Sequence, residues 1–223
     1  GGAGARMSLM IDLSHAIEDG LITYKGLPAP VMCDYLTREE SRAIYAEGTE
    51  FHIGRIDMVA NTGTYVDSPF HRYPEGKDLS ELPLESLADL DTVVVRAGAE
   101  RGITEAQFAG IDVRGKAVIV ATGWDRHWKT EQYFEGHPFL TRDAARLLAE
   151  SGAVLVGIDS HNIDDTRTRN SRPVHTTLLR DEILIVEHLR GLDRLPQSGF
   201  TFSAVPPKLK GVGTFPVRAF AQV

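Results

Sequence analysis

Cysteine is almost missing from this chain: Cys33 stands alone among 223 residues, which excludes an intrachain disulfide. A lone thiol of this kind reads as a small buried hydrophobe rather than a reactive group. Positive charge is also scarce. Lys and Arg number 24 against 31 Asp and Glu, a formal charge of -7, so a face that grips a phosphate backbone is not expected and neither is a nucleic-acid partner. No apolar run approaches the ~20 residues that cross a bilayer, and no secretory leader is recognisable. Gly1 to Arg6 precede Met7 and read as a cloning remnant outside the fold. Repeats and low-complexity tracts are lacking too, and the default address is cytoplasmic. What is present is balanced: 42% hydrophobic and 25% charged residues suit a soluble globular protein, with residues 7–223 as a single domain.

The pattern along the chain mixes strands with fewer helices. Residues 9–14 form a short apolar strand candidate that enters a Gly/Pro-rich loop at 20–30. Residues 37–45 read as a short helix, because Thr37 followed by Glu40 makes a capping box. Alternation over 51–60 predicts a strand, with Ile56, Met58 and Ala60 on one side. Pro69, Pro74 and Pro83 then bar a helix or central strand over 67–90. A long irregular segment of this sort is expected to lie over a site. Apolar runs at 92–96, 116–122, 153–158 and 183–186 predict further strands, the third uniformly apolar and so central. Residues 141–151 carry a Thr cap, an Ala144/Ala145/Leu147/Leu148 face and a Gly152 stop, the marks of a helix. The tail offers strands at 200–205 and 215–221. The expected class is α/β, a mixed β-sheet core with flanking helices.

Chemistry concentrates in residues 61–71, where Asn61, Tyr65, Asp67 and His71 fall in one short stretch punctuated by Gly63 and Pro69. Four polar or ionisable groups after a strand suggest an active-site wall; a polar loop capping that strand is the plainer alternative. The strand at 116–122 runs into Gly123-Trp124-Asp125, and the strand at 153–158 into Asp159-Ser160-His161. Ligands in open α/β sheets sit beyond such strand ends. Trp124 is therefore a candidate aromatic wall for substrate, with core packing as its alternative. His137 and His161 are candidates for chemistry or for capping, while His15, His52, His127 and His188 have no partner pattern and read as structural.

The frame Thr62, Gly63, Thr64, Asp67, Pro69 and His71 resembles the His-x-Gly-Thr-His-x-Asp-x-Pro-x-His signature of the cyclase family of metal-dependent hydrolases. That family includes kynurenine formamidase and isatin hydrolase. Asn61 and Tyr65 stand here where the family has metal-binding histidines. A second signature follows in the expected order: His175, and twelve residues later Glu187 at the end of an apolar strand. The Gly-Trp-Asp at 123–125 and the closing Pro-Val-Arg-Ala at 216–219 also resemble family landmarks.

The resemblance implies a swivelling β/β/α fold and a hydrolase of small amide, lactam or related carbonyl substrates, arylformamidase-like. It implies His71 as acid/base, and Asp67, His175 and Glu187 as ligands of one divalent ion, Zn or Mn. Such an ion would polarise the carbonyl and lower the pKa of a bound water from ~15.7 toward ~7. Loss of two imidazoles at Asn61 and Tyr65 argues against a two-metal site. The alternative is a metal-free pocket, in which Tyr65 donates to an oxyanion, Asp67 orients His71 and Asn61 fixes the substrate. That pocket would serve a cyclase, a dehydratase or a hydrolase. A third reading is a small-molecule binding protein without catalysis. Arg72 and Arg172 flank the two signatures and suit a substrate carboxylate, with surface ion pairing as their alternative. A homo-oligomer, dimer or larger, is also implied.

Overall fold

A computed structural model describes residues 8–168 and 171–223. In chain order the strands are β1 (Met10–Asp12), β2 (Val31–Leu36), β3 (Ile53–Asp57), β4 (Tyr65–Asp67), β5 (Leu90–Arg96), β6 (Gly102–Ile103) and β7 (Ala117–Ala121). Then come β8 (Phe139–Leu140), β9 (Leu155–Ile158), β10 (Leu184–Glu187), β11 (Ser198–Ser203), β12 (Thr214–Pro216) and β13 (Phe220–Gln222). The α-helices are α1 (Arg38–Arg42), α2 (Arg142–Glu150) and α3 (Pro173–Arg180). Nine strands form one mixed sheet in the order β1-β13-β11-β5-β7-β9-β10-β4-β12. Its centre, β5-β7-β9-β10, is parallel, and the flanking pairings are antiparallel.

The period of two in the central strands divides the core into two layers. Ile119, Leu155, Leu184 and Val186 join Phe200, Phe202, Ala219 and Ala221 on one side. Val118, Val120, Val156, Ile158 and Ile185 face Ala144, Ala145 and Leu148 of α2 and Val174, Leu178 and Leu179 of α3 on the other. Strands covered on both faces must be apolar throughout, which is why β9 reads as a continuous run. Leu155, Val156 and Ile158 are each fully buried, a burial worth ~1.5–3 kcal/mol per side chain.

Thr37 accepts from the Glu40 amide while Glu40 reaches back, so the capping box at α1 forms, although the helix stops at Arg42. Thr141 caps α2. Three expectations fail. The strand expected at 51–60 is only Ile53–Asp57; it pairs with β2 alone, and every residue of it is exposed. Its alternation is genuine, but among the described residues no second layer covers the two-stranded arm. Cys33 lies on that arm and is exposed rather than buried. The tail run at 215–221 is two strands, β12 and β13, separated at 217–219.

Helix α3 and strands β2, β4, β6 and β8 are additional elements. Helix α3 was legible, since Pro173 at its first turn and Val174 with Leu178 at i,i+4 are helix signals.

Candidate active site

Strand β4 is short and fully buried. Its alternation sends Val66 into the core and places Tyr65 and Asp67 together on the opposite face. Register supplies their neighbours: Glu187 of β10 and Pro216 of β12 lie opposite Tyr65, while Thr214 of β12 lies opposite Asp67. Gly63, with φ +66°, makes the turn into β4; a Cβ there would come within 2.7 Å of Ile17. Past Asp67, Pro69 starts a 3-10 turn that carries His71 back over the strand. Gly213 permits this approach, because a Cβ on it would lie 2.5 Å from the His71 backbone nitrogen.

Asp67, His71 and His175 converge, with one potential ligand atom from each lying within 4.8 Å of the others. His175 Nε2 lies 3.4 Å from Asp67 Oδ2 and 3.6 Å from Glu187 Oε1, and His71 Nε2 lies 3.8 Å from Asp67 Oδ1. Glu187 thus touches the group through His175, while its other oxygen accepts from the Ile163 amide at 2.6 Å. The converging set therefore contains His71, with Glu187 beside it rather than in it.

Proton counting fixes the roles of both imidazoles. The Thr214 hydroxyl has one proton, which it donates to Asp67 Oδ1 at 2.6 Å. It can then only accept from His71 Nδ1, 3.0 Å away. A neutral His71 ring then carries its lone pair on Nε2, the nitrogen 3.8 Å from Asp67 Oδ1. His71 is partly open to solvent, with 35% of its side chain exposed. At His175, Nδ1–H donates to Asp164 Oδ2 at 2.8 Å, which again leaves Nε2 toward the site.

Asp164 does more than orient this ring. Its two oxygens accept the Val174 and His175 amides at 2.9 Å each, closing the N-terminus of α3 with a carboxylate from another segment.

The electrostatics favour a positive charge at the centre. Burial alone would depress the His175 pKa, but Glu187, Asp164 and Asp67 outweigh it and hold the imidazole well above its ordinary value. Burial would likewise raise Asp67, yet His71, His175 and Thr214 bring its carboxyl below the usual range. Asp67 Oδ2 is buried and has no hydrogen-bond partner. An orphaned carboxylate oxygen beside two imidazole nitrogens is a donor set that suits one divalent ion of the Zn or Mn type. The residues fit a metal, and the group stands as a possible metal site.

Tyr65 has its hydroxyl 3.2 Å from His188 Nε2, and His188 Nδ1 lies 2.7 Å from the Tyr133 hydroxyl. Burial, then the charges of Glu187 and Asp67, push the Tyr65 phenol well above its ordinary pKa, against a hydrogen bond with Asn61. It therefore keeps its proton. His188 is not merely structural as expected: it joins the site through Tyr65, although nothing in its sequence neighbourhood marks it.

A cavity of ≈ 300 Å³ opens over these groups, lined by Asn61, Tyr65, His71, His175 and Glu187, with Arg72 and Arg172 at its wall. Tyr24, Leu27 and Asn162 complete it. Trp124 does not line this cavity: its indole N–H donates to the Tyr133 carbonyl at 2.9 Å, which spends it on structure. The strand ends at 122 and 159 are likewise structural, because Asp159 ties them together through Thr122 and Gly123. Of the irregular 67–90 segment, only its beginning reaches the cavity, through Asp67 against His71 and through Arg72. Asp164 and Thr214, which orient the two histidines, belong to no recognisable spacing.

Fold and site together define an α/β protein with a histidine–carboxylate centre at one end of a mixed sheet. Residues 11–165 match the family described as "Putative cyclase", and the chain belongs to that family. It is 30% identical over 216 residues to a kynurenine formamidase of Geobacillus thermodenitrificans, covering 96% of this chain and 97% of that one. A solved structure described as a potential metal-dependent hydrolase with cyclase activity superposes with a TM-score of 0.79 at 27% identity, over 96% of this chain and 98% of the other. Isatin hydrolase A of Labrenzia aggregata shares the fold, with a TM-score of 0.82 at 21% identity over 97% and 94% of the chains.

Proposed function

We propose that this protein is a hydrolase of the carbon–nitrogen bond in a small amide, lactam or related carbonyl substrate, arylformamidase-like, with His71 as the acid/base. The observation that supports this reading is the Thr214 hydroxyl between Asp67 and His71, which occupies Nδ1 and leaves Nε2 as the proton acceptor of a neutral ring. His71 Nε2 takes a proton from the attacking water and returns it to the departing nitrogen, a role worth ~10²–10⁴-fold in rate. Tyr65, kept neutral by its surroundings, donates to the carbonyl oxygen as it gains charge. Asn61 holds the substrate's polar edge, and Arg72 and Arg172 hold its anionic end.

Asp67 and His175, with Glu187 completing the set, would hold a single divalent ion, Zn or Mn, which leaves His71 Nε2 free for proton transfer. When bound it supplies Lewis-acid polarisation and a water of lowered pKa. Support for the substrate class comes from the kynurenine formamidase relatives, at 30% identity and below. The same reading has the protein working on a small molecule in the cytoplasm, on neither nucleic acid nor membrane. Among the described residues no helix is long and apolar enough to cross a membrane. It also makes the protein a homo-oligomer, dimer or larger: the β2–β3 arm and the α1 region expose Val31, Tyr35, Ile44, Phe51 and Ile56, an apolar surface that a second copy would cover.

The test is hydrolysis of an aryl-formamide and lactam panel by the purified protein, with and without chelator and added Zn²⁺ or Mn²⁺. Activity lost in His71→Ala and restored by metal after chelation supports the whole reading. Turnover that persists in excess chelator supports the metal-free chemistry of Tyr65, Asp67 and His71 instead. Ligand binding with no turnover of any carbonyl substrate overturns the hydrolase.

A further inference from the structure

Beside the cavity lies a second groove of ≈ 660 Å³, bordered by Arg72, Arg142, Arg146, Arg172 and Arg180 with no carboxylate in its lining. Arg72 and Arg172 border both spaces, so the groove continues the site outward. Five cations without a lining anion are unexpected in a chain with a formal charge of -7.

The placement is unfavourable for the fold alone. Arg142 and Arg146 stand at i,i+4 on α2, a like-charge pair that weakens a helix. Arg142 is also the first helical residue, where the helix dipole disfavours a cation. The available neutralisation is thin: Arg146 to Asp143 at 3.7 Å and Arg180 to Asp181 at 3.9 Å are both exposed. Among the described residues Arg72, Arg142 and Arg172 make no ion pair. Arg72 is nonetheless held in place, with Nε donating to Thr176 Oγ1 at 3.2 Å and its guanidinium 4.9 Å from the Tyr73 ring centre. Thr176 and Thr177 add hydroxyls to the lining.

We propose that this groove binds a multiply charged anionic group, a phosphate ester or a polycarboxylate, carried on the same small molecule whose carbonyl enters the Asp67–His71–His175 site. Planar guanidinium forks pair bidentately with either chemistry. Placing the anion in the groove and the carbonyl in the cavity makes the substrate larger than a simple aryl amide and sets its direction. The carbonyl half of this statement rests on the hydrolase reading; the anion site does not.

The experiment is calorimetric titration of inorganic phosphate and of tricarballylate into the protein as purified, at low salt. Saturable binding below about 1 mM is expected for at least one probe, weakened about tenfold or more in an Arg142→Ser/Arg146→Ser variant. The same binding should persist in His71→Ala. The tighter probe identifies phosphate or carboxylate as the group recognised. Both arginines are exposed, and circular dichroism verifies that the variant folds. Absence of saturable binding of both probes at 10-fold higher concentration (about 10 mM) overturns the proposal, as does binding that the double variant leaves unchanged. If the probes bind as expected but no amide is ever hydrolysed, the groove stands and the hydrolase reading falls. Amide hydrolysis without anion binding removes the groove alone.

Discussion

Replacing Asp164 by Asn tests the geometry of the centre without touching any group that faces the cavity. The carboxylate accepts three protons, from the Val174 and His175 amides and from His175 Nδ1–H. An amide side chain has one acceptor oxygen, so an NH₂ group must meet at least one buried N–H. Losing one charge-assisted hydrogen bond costs ~1.5–3 kcal/mol, and removing the negative charge at the N-terminus of α3 adds ~0.3–1 kcal/mol. The expected loss is therefore about 2–4 kcal/mol in urea unfolding. Freed from its partner, the His175 ring loses its fixed tautomer and orientation, and partners of this kind are typically worth ~10–100-fold in metal affinity. Titration of Zn²⁺ or Mn²⁺ into the parent and the folded variant at low temperature reads that effect. A variant less than about 1 kcal/mol weaker, with unchanged metal affinity, would refute the claim that Asp164 holds α3 and His175 together.

Gly213→Ala puts a methyl carbon against the His71 backbone at 2.5 Å; a fall in kcat of about tenfold or more is expected, since small displacements of a catalytic group are costly, and unchanged kcat would show that the turn yields freely. Asn61→His/Tyr65→His supplies the two imidazoles that the family signature carries, so metal content by elemental analysis should rise toward two ions per chain, with no rise sinking the idea that these positions limit it. His161, buried and held to a pKa of about 3 first by desolvation and then by His137 and Arg172, stays neutral while the unfolded chain takes up its proton. Stability should therefore fall as pH drops from ~6.5 toward 3, by ~1.4 kcal/mol per pH unit from this residue. Denaturant titrations between pH 7 and 4.5 should show a flatter dependence in His161→Gln, and an identical slope would mean that His161 titrates normally.

The sequence alone determined what depends on neighbours along the chain. Uniform apolar runs specify β7 and β9 because a strand buried on both faces has no polar position to show. Thr37 with Glu40 and Thr141 with Gly152 mark helix ends because capping is a matter of a few residues. The 61–71 signature and the His175/Glu187 pair carried the family, and Asn61 and Tyr65 carried its departure.

Only the tertiary structure decided which groups meet. Alternation made 51–60 look like a strand packed beside the site, but alternation reports that a strand has two faces, not that anything covers them. Trp124 follows an active-site-like strand end and is nevertheless spent on Tyr133. Thr214, Asp164 and His188 reach the centre through strand register and helix capping, across 147 positions in the case of Thr214 and Asp67. Spacing in one dimension holds no record of a bond between chain segments that distant. The Asp67–Thr214–His71 arrangement is therefore a property of the folded sheet, written into the sequence only through the residues that build β4 and β12 side by side.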